Sequence, residues 1–282
     1  MASVCVVGLG TVGFPTASYI SKYHKVTGYD IDSSKVENAK HCFFATTEWS
    51  KIPEIDVFVI CVNTWWRDNK ADMSAVEAVC KKIAERITKQ TLVNIESTVS
   101  VGTCRRIHEE IFKKQVQLAN CPHRLWPEKL ECYGVKQLRI LGSVDKESMK
   151  KAKEFYQSIH IPVRPVSSLE TSEMSKLVEN SYRFIEIAYA EELALNCQKL
   201  GIEFDEIRQA CNTLKRKTEG EGWQVQIMEA KEGIGGTCLP KDIMYMRCLI
   251  NPSNLPKSAI ETDELYRRKR AKTNFCYSEF DQ

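Results

Sequence analysis

Apolar residues in the first 166 positions gather into short continuous runs separated by helix-length polar stretches. Ser3–Val7, Val26–Tyr29, Val57–Val62, Thr91–Ile95, Leu138–Leu141 and Ile161–Val166 are runs of four to six residues. Runs that are apolar without alternation are the pattern of strands covered on both faces. Between them, Phe14–Lys22, Asp72–Ile87, Cys104–Lys114 and Lys146–Ile159 read as helices, with Met73, Val76, Val79 and Ile83 on one face of the second. This alternation predicts an α/β fold, a doubly wound parallel sheet with helices on both faces. The pattern changes near Ser168. From Glu170 to Leu200 no Pro or Gly interrupts, which predicts one helix roughly 45 Å long at about 1.5 Å per residue. Further helices are expected at Glu203–Cys211 and Ser258–Asn274, around a Gly-rich polar stretch from Glu219 to Gly236. Two domains follow from this reading, 1–168 and an all-helical 169–282.

Composition narrows the class. The chain has 282 residues, 43% hydrophobic and 27% charged, with a net charge of +3. That balance is too small to imply nucleic acid, and the basic run Arg267–Lys272 reads as a solvated helix face. No stretch of about 18 apolar residues occurs, so no membrane span is expected. Met1-Ala2-Ser3 leads straight into the first strand, leaving no room for a signal peptide. Twelve cysteines are scattered without CxxC pairs or metal-ligand spacing. They read as reduced thiols of a cytoplasmic protein with no metal site, eleven as small buried hydrophobes and Cys238 as the exception.

Two segments carry chemistry. Gly8-Leu9-Gly10-Thr11-Val12-Gly13 joins the first strand to the first helix, and Asp30 closes the second strand. In that context GxGxxG is a dinucleotide fingerprint: Gly8, Gly10, Thr11, Val12 and Gly13 would cradle pyrophosphate at the helix N-terminus, and Asp30 would hold the adenosine ribose. The sheet is therefore expected to be Rossmann-type. A carboxylate there favours NAD over NADP, against which Lys35 is the counter-signal. The second segment, Gly233-Ile234-Gly235-Gly236-Thr237-Cys238-Leu239-Pro240-Lys241-Asp242, sets one thiol between glycines and a Lys-Asp pair. A nearby ammonium favours thiolate, the nucleophilic form, and this points to covalent catalysis on a carbonyl.

With these pieces the chain resembles the nucleotide-sugar 6-dehydrogenases, the UDP-glucose, GDP-mannose and UDP-N-acetylmannosamine dehydrogenase family. Six motifs arrive in family order: the GxGxxG with Asp30; Cys61-Val62-Asn63-Thr64; Ser97-Thr98-Val99; Cys121-Pro122-His123-Arg124; Lys176-Leu177-Val178-Glu179-Asn180; and Gly233 to Asp242. The resemblance implies NAD-dependent oxidation of a sugar C6 alcohol to the uronate through a hemithioacetal and thioester on Cys238. It implies Asp242 and Lys176 as candidates for the base, Lys176 and Asn180 as partners of the oxyanion, and Thr64 and Thr98 at the cofactor. It also implies a homodimer through the helix starting near Glu170. Glu173, one turn before Lys176, reads as a local ion-pair partner.

Three departures accompany the resemblance. His123 stands where the family has a glutamate that helps to hydrolyse the thioester. The nearby Glu128 falls out of register with that position, and histidine can serve as a base near neutral pH. Trp65-Trp66 replaces a proline and sets bulky aromatics where the cofactor should lie. The family continues into a second Rossmann-like domain, and the sequence stops where that domain would begin, which implies weakened activity in isolation. Two other readings stand beside this one: a two-electron β-hydroxyacid-type dehydrogenase and a non-catalytic NAD-binding relative. The sugar stays open, since Cys-Pro-x-Arg with Pro127 resembles the N-acetylhexosamine branch and Thr-Cys-Leu-Pro-Lys-Asp the UDP-glucose branch.

Overall fold

Val4 to Val7 are buried on both faces in the first strand, β1 (Ser3–Val7), and this strand seeds the sheet. The computed structural model describes residues 1–126, 134–214, 224–249 and 252–277. Beside β1 lie β2 (Lys25–Tyr29) on one flank and β4 (Val57–Ile60) on the other, both parallel to it. The full order is β10-β9-β8-β7-β4-β1-β2-β3, where β3 is Phe44–Thr46, β7 Leu92–Ile95, β8 Gln117–Asn120, β9 Arg139–Ser143 and β10 Val163–Pro165.

The doubly wound α/β class expected from the sequence is present, with one modification. Strands β1, β2, β3, β4, β7 and β8 are parallel, but β9 pairs antiparallel with β8, so β9 and β10 run against the rest. The reversal matters for the site. Ala119 faces Ser143 and Asn120 faces Gly142, so the start of β9, Arg139, falls alongside the residues that follow β8. A buried arginine is thereby delivered to the carboxyl edge of the parallel strands, where this fold places its ligands.

Helices α1 (Gly13–Ile20), α2 (Ser33–Ala39), α3 (Ser74–Ala84), α4 (Thr103–Arg106) and α5 (Lys146–Ser158) accompany the sheet. The helix expected over Cys104–Lys114 is shorter. α4 passes into one π turn, Ile107–Ile111, and Lys113 and Lys114 leave it at positive φ. Trp65-Trp66 belongs to a hairpin of β5 (Trp65–Arg67) and β6 (Lys70–Asp72). Its turn residues Asp68 and Asn69 both have φ near +50°, the left-handed conformation that two-residue hairpin turns require.

The chain divides into two compact units, Met1–Lys176 and Leu177–Gln282. Helix α6 (Leu169–Leu200) runs through the division. The second unit adds α7 (Phe204–Cys211), α8 (Cys238–Leu249) and α9 (Asn254–Tyr277). Phe184, Ala188, Ile234, Ile243 and Ala259 form its core. Among the described residues no helix is long and apolar enough to cross a membrane.

Candidate active site

The first glycine of the nucleotide turn has φ +90°, and a Cβ on it would press to 2.8 Å from the Cys61 carbonyl oxygen. A Cβ on Gly13 would sit 1.7 Å from the Gly8 carbonyl oxygen, so this glycine lets α1 close onto the turn. A Cβ on Gly10 would meet nothing within 4 Å. That open space, at a helix N-terminus with no side-chain cap, fits a pyrophosphate lying over Gly10. Asp30 is buried and fixed by two backbone N–H groups, Leu9 at 2.7 Å and Asp32 at 2.9 Å. Lys35 lies 3.9 Å from Asp30 and 3.8 Å from Asp32, so its charge is answered by carboxylates and is not presented as a lone phosphate receptor.

The strand ends beside this turn are tied to one another. Ser97 donates to the Val62 carbonyl at 2.7 Å and Thr64 donates to the Thr98 carbonyl at 2.7 Å. The Cys61–Thr64 and Ser97–Val99 motifs are thus one cross-linked rim. Glu173 reaches the same region. It is buried and accepts N–H groups from Gly102 at 2.6 Å and Cys104 at 2.7 Å, which caps α4. Its spacing from Lys176 gave no sign of this capping role. Burial raises the Glu173 pKa against those two donors.

Behind the rim lies a buried polar network that the sequence did not announce. Glu96 follows β7, and its side chain is 1% exposed. It accepts Tyr156 Oη at 2.6 Å, lies 2.9 Å from Arg139 Nη1 and pairs with His123 Nε2. Burial works against its charge, yet Arg139 and His123 hold its pKa down at about 2. Asn94 donates to Tyr156 Oη at 2.7 Å and completes the chain. His123 is therefore buried within unit 1, its pKa lowered by burial and by Arg139, with Lys176 acting in the same direction. Glu128 lies outside the described residues. Cys61, Glu96 and His123 hold ligand-type atoms within 4.8 Å of one another. A cation placed there would have to displace Arg139 and Tyr156 from Glu96, and the Cys61 thiol is kept protonated by burial and by the Glu96 charge.

In the second unit Cys238 opens helix α8 and is exposed. Gly233 and Gly236 precede it at φ +102° and +78°, values that favour glycine. Asp242, one turn further along α8, is 1% exposed and accepts Asn180 Nδ2 at 2.5 Å and Lys241 Nζ at 2.6 Å. Lys176 stands one turn before Asn180 on α6, half-buried.

Two expectations are corrected in this unit and one in the cysteine set. Arg267 does not belong to a purely solvated basic face. It bonds both oxygens of Asp263, at 3.0 and 2.9 Å, and the Ile234 carbonyl at 2.6 Å. Asp263 in turn accepts the Ile234 N–H at 2.8 Å, so α9 grips the backbone leading to Cys238. Helix α8 itself was not foreseen, because its Pro240 reads as a breaker although Pro is tolerated in a first turn. Cys42, Cys211 and Cys248 are exposed, contrary to the expectation of burial; Cys132 lies outside the described residues.

Comparison with known proteins agrees with this layout. Residues 37–160 match the model of the UDP-glucose/GDP-mannose dehydrogenase family NAD binding domain, and residues 170–264 match that family's central domain. UDP-N-acetyl-D-mannosamine dehydrogenase of Methanococcus vannielii is 31% identical over 285 residues, covering 93% of this chain and 65% of that protein. The enzyme of the same name from Escherichia coli K12 is 30% identical, covering 87% and 64%. The chain thus spans just under two thirds of the length of the curated relatives it matches. UDP-D-ManNAc dehydrogenase from Pyrococcus horikoshii superposes with a TM-score of 0.85 at 27% identity, over 97% of this chain and 71% of that one. 3-Hydroxyisobutyrate dehydrogenase from Mycobacterium tuberculosis shares the fold alone, with a TM-score of 0.71 at 15% identity. With both its sheet-bearing part and its helical part matched, the chain belongs to the UDP-glucose/GDP-mannose dehydrogenase family.

Proposed function

We propose that the protein oxidises the C6 alcohol of a nucleotide sugar to the uronate, with a UDP-N-acetylhexosamine as the first substrate to test and UDP-glucose as the second. The observation that carries this reading is Cys238 at the head of α8 with Asp242 one turn behind it, bonded to Asn180 and Lys241. Names of the relatives support the N-acetylhexosamine order.

NAD+, for which the open turn at Gly10 and the pinned Asp30 are suited, supplies the two-electron acceptor for each oxidation. Gly8, Thr11, Val12 and Gly13 would hold it with Thr64 and Thr98. Asp242 takes the hydroxyl proton through a water as the alcohol becomes an aldehyde. The Cys238 sulfur then adds to the aldehyde carbon, forming a C–S bond and an alkoxide. Lys176 and Asn180 offer donors to that oxygen, whose charge they would stabilise. The second oxidation restores C=O as a thioester. Water, activated by His123, cleaves the C–S bond and leaves the carboxylate. One alcohol, one water and two NAD+ give one carboxylate, two NADH and three protons.

A homodimer through α6 accompanies the proposal. Val178, Tyr182 and Tyr189 are 43%, 63% and 55% exposed at four- and seven-residue spacing, an apolar stripe suited to a second copy. Cytoplasmic residence is consistent with the ten described cysteines, all unpaired.

The test is a panel of nucleotide sugars with NAD+, counting NADH per sugar in the parent and in Cys238→Ser. Two equivalents, lost in the variant, is the expected result. Activity that survives Cys238→Ser would favour the two-electron hydroxyacid reading, whose fold this chain shares. NAD binding without turnover would favour a binding protein.

A further inference from the structure

Glu191 lies on α6 in the second unit, fully buried, and neither of its carboxyl oxygens receives a donor among the described residues. The carboxyl beside it is differently placed. Asp263, on α9, accepts the Ile234 N–H at 2.8 Å and Arg267 Nε at 3.0 and 2.9 Å on its two oxygens. It stands within hydrogen-bond reach of Glu191, and its charge acts on Glu191 as well. Two carboxyls in one buried contact resist ionising together, and one proton between them relieves the conflict. The donors decide which group carries it. Asp263 has a guanidinium and an amide to satisfy a carboxylate, and Glu191 has neither, so the proton belongs on Glu191. Tyr266 does not substitute for it, because its hydroxyl donates to the Lys231 carbonyl at 2.8 Å.

We infer that Glu191 is a positioning residue for the loop before Cys238: protonated, it donates to Asp263 and keeps that carboxylate on Ile234, and loss of the proton releases the hold. Arg267 also gives Nη2 to the Ile234 carbonyl at 2.6 Å. The Asp263–Arg267 pair thus holds both backbone polar atoms of one residue, four positions ahead of the thiol. The charges acting on Glu191 are Asp263 and Arg267, and Tyr266, which also faces Arg270, feels Glu191 in turn. Among the described residues α8 and the loop itself add no charge to this cluster. When the proton leaves for solvent, two carboxylates stand in contact and Arg267 is the cation between them. Drawn toward Glu191, the guanidinium gives up the Ile234 carbonyl, and the repelled Asp263 gives up the N–H. Burial and Asp263 push the Glu191 pKa up to about 7 while Arg267 opposes them, so release falls near neutrality. Opening the loop lets Glu191 return toward its ordinary value, about 4.3. The hold is therefore complete below that value, weakens as pH rises to about 7 and is level above it. That a held loop serves turnover rests on the proposed function; the hold itself does not.

Hydrogen exchange at the Ile234 amide, expressed as a protection factor so that base catalysis cancels, tests the hold from pH 5 to 8. Protection in the parent should fall about tenfold or more across the lower part of that range and then level off. A glutamine amide is a permanent donor, so Glu191→Gln should keep the parent's pH 5 protection throughout. Alanine has no donor, and Glu191→Ala should be weakly protected to the same degree at every pH. Parental protection that ignores pH overturns the inference, and so does a Gln variant that loses protection over the same window, because another group would then be titrating. Carboxyl 13C spectra of the glutamate-labelled parent should show a carboxyl titrating near pH 7. A spectrum in which every glutamate titrates in its ordinary range overturns the inference whether or not a variant folds. In turnover on a nucleotide sugar, kcat of the parent relative to Glu191→Gln should fall about tenfold over the window with KM unchanged. A flat ratio overturns the positioning role. A chain inert on every nucleotide sugar sinks the proposed function, and the exchange and carboxyl spectra then decide the hold by themselves.

Discussion

Asn180 donates through Nδ2 to Asp242 Oδ2 at 2.5 Å, so a family-matched amide on one helix is bonded to the family-matched carboxylate on another. An amide nitrogen has two N–H groups, and this bond uses one. That bond fixes both side chains, and in the proposed mechanism the Asn180 amide is a donor to the developing oxyanion. Asn180→Ala should therefore lower kcat about a hundredfold to a thousandfold, the range for losing one such donor. Asp242→Asn should fall at least as far, because it removes the proposed base. Both variants should still alkylate at Cys238 with iodoacetamide, which reports an intact loop. An Asn180→Ala enzyme within a fewfold of the parent would remove the residue from the mechanism.

The three glycines of the nucleotide turn separate fold from ligand. Gly13→Ala places a methyl 1.7 Å from the Gly8 carbonyl oxygen, and only a backbone shift relieves it, at a cost of about 1–3 kcal/mol. Gly10→Ala meets no protein atom within 4 Å. Its thermal midpoint without NAD should match the parent within a degree or two, while calorimetry shows affinity for NAD+ reduced about tenfold or more. Equal NAD affinity in Gly10→Ala would mean that the dinucleotide does not lie over this turn.

Much of this was legible in the sequence. The strands at the sheet centre are apolar without alternation and were readable from that alone, as was the turn between Gly8 and Gly13. The strand Gln117–Asn120 was not foreseen. It has only Leu118 and Ala119 as apolar residues and is a strand because β7 and β9 pair with it. Cys238, Asp242, Lys176 and Asn180 were put forward as site residues by motif. Glu96, Arg139, Asp263 and Arg267 were missed, since each acts through a partner far along the chain and local spacing says nothing of that partner. One signal was available: Glu96 and Arg139 sit at the ends of otherwise apolar runs, where a charge must be paired to be buried.

The grip of α9 on the segment before Cys238 gives a further prediction. Arg267 is packed against Gly233 so closely that a Cβ there would lie 2.6 Å from the guanidinium. Arg267→Met removes the donor to the Ile234 carbonyl and uncovers Asp263. The expected loss is about 1–3 kcal/mol, concentrated in the loop and small in the sheet-bearing unit. Hydrogen exchange should speed up at the Ile234 amide while amides of β1 are unchanged, and kcat should drop about tenfold as the thiol loses its fixed position. Unchanged exchange at Ile234 would show that the loop holds its shape without α9.

The last prediction concerns acid and base stability of the helical unit. Glu191 is buried on α6, and burial together with the neighbouring Asp263 charge pushes its pKa up to about 7, with Arg267 pulling the other way. In the unfolded chain a glutamate ionises near its ordinary value, about 4.3. Between those two values the folded protein holds a proton that the unfolded chain has released, so stability falls as pH rises through that window and levels off above it. Glu191→Gln removes the ionisation and keeps the shape. The variant should match the parent near pH 4, gain steadily from pH 4.5 to 7, and hold a constant advantage of about 2–3 kcal/mol above that. Thermal melts of parent and variant at pH 4, 6 and 8 make the comparison. A variant equally displaced from the parent at all three values would mean that Glu191 is already ionised in the fold, with Arg267 rather than a proton balancing its charge.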